Sequence, residues 1–127
     1  MKFERQKIVL VVQIVIIFFF ILSIIIAVNL KKTFKDVRNL VRERHMEAIV
    51  NAVYTYYLIY GKFPECIPVS GEAIEVEKCQ EIKPFLTSFP KDPSPGEKYF
   101  IKYLNPQKGG IKVFSSAPEA KKTEVIR

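Results

Sequence analysis

One uncharged apolar stretch constrains this chain more than any other feature. From Ile8 to Leu30 the sequence reads IVLVVQIVIIFFFILSIIIAVNL, 23 residues interrupted only by one Gln, one Ser and one Asn. As a helix rising about 1.5 Å per residue it reaches about 34 Å, enough for a hydrocarbon core of about 30 Å. It exceeds the apolar part of a cleaved secretory signal, about 7–15 residues, and no Ala-x-Ala site follows it. We therefore predict a transmembrane helix over residues 8–30, after a short basic segment at residues 1–7.

The net charge of +7, from 20 basic and 13 acidic residues, suits anionic partners. Lipid headgroups, nucleic acid and acidic proteins all fit such a charge, and so does a merely solvated surface. Basic residues flank the span on both sides: Lys2, Arg5 and Lys7 before it, and Lys31, Lys32, Lys35, Arg38, Arg42 and Arg44 after it. This count favours a cytoplasmic location for the C-terminal side.

The two cysteines favour the opposite orientation. Cys66 and Cys79 lie in one short loop after the span. A disulfide between them would stabilise the fold by about 3 kcal/mol, and it would persist only in an oxidising compartment. They are too far apart for the close cysteine pair of a zinc site, so two free buried thiols are the alternative. We predict the disulfide and an extracytoplasmic head, and the sequence leaves both orientations open.

Residues 31–60 contain neither Gly nor Pro and predict an amphipathic continuation of the span. Apolar residues recur there at steps of three, four and seven, the spacing of one helical stripe. The stripe consists of Phe34, Val37, Val41, Ala48, Ile49, Ala52, Val53, Tyr56, Tyr57 and Tyr60. Charged residues such as Arg42 fall off it. Gly61, which can adopt the left-handed conformation that closes a helix, and Pro64 predict where this single long helix ends.

The remaining sequence predicts a small sheet. Glu65–Lys83 is predicted as a loop, followed by a short packed piece containing Phe85, Leu86 and Phe89. Tyr99–Leu104 and Ile111–Ser116 alternate apolar and polar residues and predict two strands of a hairpin. The fold class is therefore α+β: a long N-terminal helix, transmembrane half plus amphipathic half, packed on a small antiparallel sheet. Helix and head occupy residues 31–120, and residues 121–127 are predicted as a flexible tail.

No group of residues points to an enzyme. The single histidine, His45, has no serine or cysteine partner suited to a triad, and no glycine-rich phosphate loop is present. Four glutamates of the loop could approach a calcium ion: Glu72, Glu75, Glu77 and Glu81. Their spacing lacks the regularity of a calcium-binding loop, which favours a solvated acidic surface. We predict a non-enzymatic protein without a cofactor or metal. Its basic run after the span either contacts lipid headgroups or is simply solvated, and both are favoured over nucleic acid.

The order of these parts resembles the type IV pilin and type II secretion pseudopilin superfamily. A short basic start and an apolar helix precede AIVNAVYTYYLIYGKFPEC, a variable loop, FLTSFPKDP and a hairpin ending in VFSSAPEA. The helix-end residues that match the pseudopilin pattern are Ala52, Tyr56, Tyr57, Gly61, Phe63 and Pro64, and Phe89–Pro93 match a second motif. The resemblance covers most of the chain up to about Ala120. It implies a helix in the inner membrane, an outside head, and assembly with other pilin-like subunits or apparatus proteins through helix packing.

The N-terminus departs from the pilin pattern. Family members are processed between a Gly and a following Phe, and a Glu lies four residues beyond that Phe. When MKFERQ is matched to the leader segment that is removed in the family, Gln6, Lys7 and Val11 occupy the positions of the Gly, the Phe and the Glu. We therefore expect neither cleavage by a prepilin peptidase nor N-terminal methylation. The head also ends without the Asp-Gly pair associated with calcium in major pseudopilins and offers only Glu119. These departures predict a minor, atypical or permanently anchored member.

Two other functions stay open. A single-span anchor with a cytoplasmic basic domain would bind an anionic partner, DNA or an acidic protein. A minor pilin that contacts DNA during uptake would combine a pilin-like head with DNA binding.

Overall fold

The computed structural model of the protein describes residues 1–105 and 109–120. The predicted tail, residues 121–127, and part of the predicted hairpin loop lie outside the described residues. Helix α1 spans Lys2–Tyr60 and is followed by strand β1, Ile74–Glu75. The later elements are two 3₁₀ helices, Val76–Lys78 and Gln80–Phe85, strand β2, Tyr99–Asn105, and strand β3, Gly110–Ser115. The chain divides into two compact units, Met1–Asp36 and Val37–Arg127.

The α+β prediction is confirmed at the level of one long helix and a small antiparallel sheet. Helix α1 has 59 residues without an interruption, as expected from a segment free of Gly and Pro. The sheet has three strands in the order β1-β2-β3, and both pairs are antiparallel. The two predicted strands are confirmed, with ends that differ from the prediction by one residue.

The predicted loop from Glu65 to Lys83 is wrong in its second half. Strand β1 pairs Ile74 with Ile101 of β2, and the first 3₁₀ helix begins directly after it. A strand of two residues is too short for an alternation of apolar and polar residues to be recognised in the sequence. Its stability comes from the neighbouring strand. Tertiary pairing therefore decided the structure of this segment.

The core lies in the Val37–Arg127 unit, between helix α1 and one face of the sheet. Tyr99 and Ile101 of β2 and Ile111 and Val113 of β3 are buried, as the alternation of a half-covered sheet requires. On the other face Phe100 and Phe114 stand opposite each other with ring centroids 5.7 Å apart. The helix contributes Met46, Ile49, Val50, Ala52 and Val53, and the loops add Ile67, Val76, Cys79 and Ile82.

The predicted helix stripe is partly wrong. Ile49, Ala52 and Val53 are buried as predicted, but Met46 and Val50 are buried in place of the exposed Ala48. Four further predicted members of the stripe are also exposed: Phe34, Val37, Tyr57 and Tyr60. The buried face is centred on the side that contains Arg42, Met46, Ile49 and Val53, because these residues are the ones the sheet and loops cover. Apolar spacing alone admits more than one such face.

Candidate functional site

The apolar segment of α1 exposes every residue from Ile8 to Leu30. A helix of a water-soluble domain buries one stripe, whereas this segment is apolar on all sides and has no complementary surface within the Met1–Asp36 unit. One helix of the described residues is long and apolar enough to cross a membrane, by length and composition. The segment therefore has the length and composition of a membrane span.

Gln6 and Lys7, the residues matched to the pilin processing site, lie within helix α1 and are exposed. The Lys7 ammonium lies 4.6 Å from the centroid of the Phe3 ring, within the range of a cation–π contact. Nothing in this geometry tests processing, so retention of the first six residues stays a prediction.

The end of helix α1 has the geometry that the sequence predicts. Gly61 has a φ of 71° and its N–H donates to the carbonyl of Tyr57 at 2.8 Å. A side chain at this φ would strain the backbone, so glycine closes the helix at low cost. Pro64 is fully buried and directs the chain back against the core. The left-handed conformation predicted for Gly61 is therefore present, and Pro64 lies in the non-helical segment that follows it.

An aromatic cluster forms around Phe63 at this helix end. The Phe63 ring stacks on Tyr57 with centroids 4.6 Å apart and meets the edges of Tyr54 and Tyr103, each at 5.9 Å. Tyr56 packs separately, 4.5 Å from Tyr60 and 6.2 Å from Phe85. The predicted tyrosines therefore join the helix end to the sheet and the second 3₁₀ helix, with Tyr57 and Tyr60 partly in solvent.

The predicted disulfide is present. Cys66 and Cys79 are bonded, with Cα atoms 5.2 Å apart, and Cys79 is completely buried. The loop is fastened a second time where the Glu65 N–H donates to the Glu81 carboxylate at 2.8 Å. Ile67, one residue after the first cysteine, is part of the core. The disulfide thus holds the chain that leaves the helix end against the 3₁₀ segment.

A buried arginine organises the opposite end of the head. Arg42 is 1% exposed, and its Nε–H and Nη2–H groups each donate to a carboxylate oxygen of Asp92 at 3.0 Å. The same guanidinium donates to Ser94 Oγ at 2.6 Å, to Asn39 Oδ1 at 2.8 Å and to Glu119 Oε1 at 3.2 Å. We call these five residues, with Arg38 and Ser115, the Arg42 network. It joins α1 to the turn before β2 and to the segment after β3.

The carboxylates of the network are held ionised. Burial raises the pKa of Asp92, but hydrogen bonds from Arg42 and Ser115 outweigh burial and bring that pKa below its usual value. Glu119 accepts two hydrogen bonds from Arg38, at 2.5 and 2.7 Å. These bonds, with a smaller contribution from Arg42, lower the pKa of Glu119 to about 2. At neutral pH the network therefore has two cations and two anions.

The sequence located only part of this network. Within the turn, the Asp92 carboxylate accepts a hydrogen bond from the Ser94 N–H at 2.8 Å, a local bond that is common for aspartate in turns. Its principal partner Arg42 lies 50 positions away in the sequence, and no local pattern links them. Arg42 was predicted off the apolar stripe, which is wrong. Arg42 lies four residues before Met46 and seven before Ile49. This helical spacing is the one sequence signal that could have placed Arg42 on the buried face.

The remaining candidates form no reactive group. His45 Nδ1 lies 3.0 Å from the Tyr99 hydroxyl, at the edge of the core. Glu75 pairs with Lys98 at 2.9 Å and with Lys78 at 3.6 Å, and the Glu81 carboxylate accepts from the Glu65 N–H. Within residues 1–105 and 109–120, no group of three or more His, Cys, Asp or Glu side chains is placed to hold a metal ion.

Comparison with known proteins adds no relative. The chain matches no family model, no curated protein and no solved structure. The resemblance to pilins and pseudopilins is therefore carried by the residues of the chain itself.

Proposed function

We propose that the chain is a non-enzymatic, membrane-anchored pilin-like or pseudopilin-like subunit of a type IV filament or a type II secretion-type apparatus. The observation that carries the proposal is the contrast along α1. Ile8–Leu30 exposes apolar side chains on all sides, and later residues of the same helix, from Met46 to Val53, form the core of a disulfide-bonded head.

The apolar segment acts as the assembly element in this proposal. It has no charge, so it is stable in lipid and equally stable against the apolar segments of neighbouring subunits. Moving it from one apolar environment to the other exposes little apolar surface to water, so the hydrophobic effect opposes that transfer only weakly. The head has its own core, disulfide and Arg42 network, so it can remain folded through that transfer.

We place the protein in the inner (cytoplasmic) membrane as a single-pass protein with an extracytoplasmic head. The Cys66–Cys79 disulfide supports this orientation, because structural disulfides persist in oxidising compartments and are rare in the cytoplasm. The partners are then membrane lipid and other pilin-like subunits.

The rival proposal, a cytoplasmic basic domain that binds DNA or an acidic protein, needs free positive charge beyond the span. Arg42 is buried against Asp92, and Arg38 is engaged by both oxygens of Glu119. Two of the six basic residues that follow the span are thus already paired inside the head, which reduces the positive charge available to such a partner.

Site-specific photocross-linking tests assembly through the helix. We would replace Phe19, in the apolar segment, with benzoyl-phenylalanine and irradiate cells of the native host. The expected product is a ladder of covalent multimers of this chain or adducts with other pilin-like subunits. The matched control is the same replacement at Val69, which is exposed on the head; it should give a weaker ladder. Adducts with lipid alone at Phe19, in cells that express the complete apparatus, would refute assembly through the helix.

A further inference from the structure

Three lysines follow the apolar segment on one side of helix α1. Lys31, Lys32 and Lys35 occupy an arc of about 100°, since successive residues of an α-helix are about 100° apart. All three are exposed. Among the described residues none of the three forms an ion pair, unlike Lys62, Lys78 and Lys98 of the head. They form an open cationic surface within the Met1–Asp36 unit.

An apolar strip adjoins the lysines on the same two turns. Leu30 and Phe34 are four residues apart, so they lie above one another on one face of the helix. They are 52% and 60% exposed. Phe34 lies about 60° from Lys31, its i+3 neighbour, so the lysine arc and the apolar strip lie side by side where the uncharged segment ends. This arrangement matches the boundary between hydrocarbon and headgroups, where aromatic rings and lysines with long apolar stems are both stable.

We propose that Lys31, Lys32 and Lys35 form a binding site for the phosphate groups of anionic phospholipids. The inference rests on the proposed membrane anchoring and names the lipid class that the anchor prefers. Lys31 directly follows the last residue of the apolar segment, so a helix that fills the hydrocarbon core brings these ammonium groups to the level of the headgroups. Charge complementarity then favours phosphatidylglycerol or cardiolipin over a zwitterionic lipid.

Nucleic acid fits the same lysines less well. Single-stranded nucleic acid is held by cations together with aromatic rings on which bases stack. Residues 29–36 contain one aromatic residue, Phe34, and a single ring offers one stacking position rather than a platform. The cationic surface thus offers phosphate contacts without a stacking platform.

Lipid selectivity of the full-length protein in vesicles tests the inference. Spin-labelled phosphatidylglycerol and phosphatidylcholine would be compared by the fraction immobilised by the protein. We expect about a fivefold preference for phosphatidylglycerol, the effect of about 1 kcal/mol from one lysine at an anionic surface. The preference should disappear at high salt. The triple variant K31Q/K32Q/K35Q should lose it, whereas K83Q/K91Q/K102Q, which removes three lysines from the head, should keep it.

Membrane insertion is measured on the same samples by flotation with the vesicles after alkaline extraction. Protein that fails to float would refute the membrane anchor and this inference together. Protein that floats but immobilises both lipids equally would overturn the lipid site and leave the anchor intact. Equal lipid association combined with oligonucleotide binding that K31Q/K32Q/K35Q abolishes would assign the lysines to nucleic acid instead.

Discussion

Two stretches of helix α1 have opposite patterns of solvent exposure. Ile8–Leu30 is uncharged and exposed on every side, whereas the stretch from Arg42 to Val53 buries a single face and contains a completely enclosed cation. Both belong to α1, and neither contains Gly or Pro. Both stretches are therefore helical. They differ in what covers their apolar side chains.

The later stretch finds its surroundings within the chain. The sheet and the disulfide-bonded loop cover its apolar face, and Asp92 and Glu119 neutralise its arginine. The earlier stretch is exposed on every side within the described Met1–Asp36 unit, and under the proposed function lipid or other subunits cover it. A substitution should consequently affect the stability of the head only when it lies in the later stretch.

The largest expected effect comes from Arg42→Met. This change leaves the Asp92 carboxylate, whose side chain is 0% exposed, without its cation, and such a loss costs about 3–5 kcal/mol of unfolding free energy. Denaturation of the full chain in detergent measures it. All six tyrosines lie between Tyr54 and Tyr103, so near-UV circular dichroism reports on the head. Arg44→Met, an exposed arginine of the same helix, should change stability by less than about 0.5 kcal/mol. Equal effects of the two changes would show that the Arg42 network contributes nothing.

The same substitution in both stretches makes the comparison direct. Ile49→Ala removes a side chain that is 0% exposed and should destabilise the head by about 2–5 kcal/mol. Ile24→Ala removes an identical side chain that is 49% exposed and should leave the denaturation midpoint of the head unchanged. Circular dichroism of the tyrosines measures both variants. A comparable loss from Ile24→Ala would mean that the apolar segment contributes to the folding of the head.

Acid should weaken the head through its carboxylates. The pKa values of Asp92 and Glu119 are depressed by folding, so each carboxylate stabilises the head above its unfolded pKa of about 4. That contribution is lost as the pH falls through the folded pKa, which for Glu119 is about 2. We expect the denaturation midpoint to be constant from about pH 7 to 5 and to fall between about pH 4 and 2. Glu119→Gln should reduce the fall, and an identical pH profile in that variant would exclude Glu119 as a source.

The smallest expected effect concerns the helix end. Gly61→Ala places a Cβ at a φ of 71°, and left-handed backbone costs a non-glycine residue about 1–2 kcal/mol. Gly61→Asn should cost less, because asparagine tolerates this conformation better. Denaturation midpoints of the two variants test the order, and an alanine variant as stable as the parent chain would show that the helix end adapts without strain.

The features that the sequence predicted well depend on neighbouring residues. The uninterrupted helix follows from the absence of Gly and Pro, its end from Gly61 and Pro64, and the strands β2 and β3 from alternation. The disulfide was also foreseen, because Cys66 and Cys79 had few other chemical uses in one short loop.

The features that it missed depend on distant residues. Arg42 meets Asp92 and Glu119 only after the chain has folded back across 50 and 77 positions. Strand β1 is defined by its partner β2 rather than by its own two residues. Tyr57 and Tyr60 satisfied the apolar spacing but lie beyond the part of the helix that the sheet covers, so they remain partly exposed.

Orientation of the disulfide decides between the filament subunit and the cytoplasmic anchor. Intact cells that express the chain would be treated with a membrane-impermeant maleimide, with and without prior reduction by an impermeant phosphine. We predict no labelling of either cysteine before reduction and labelling of Cys66, the partly exposed one of the two, after it, because the proposed head lies in an oxidising compartment. Cysteines that react without any reductant, and only once the membrane has been permeabilised, would place the head in the cytoplasm and contradict the proposed function.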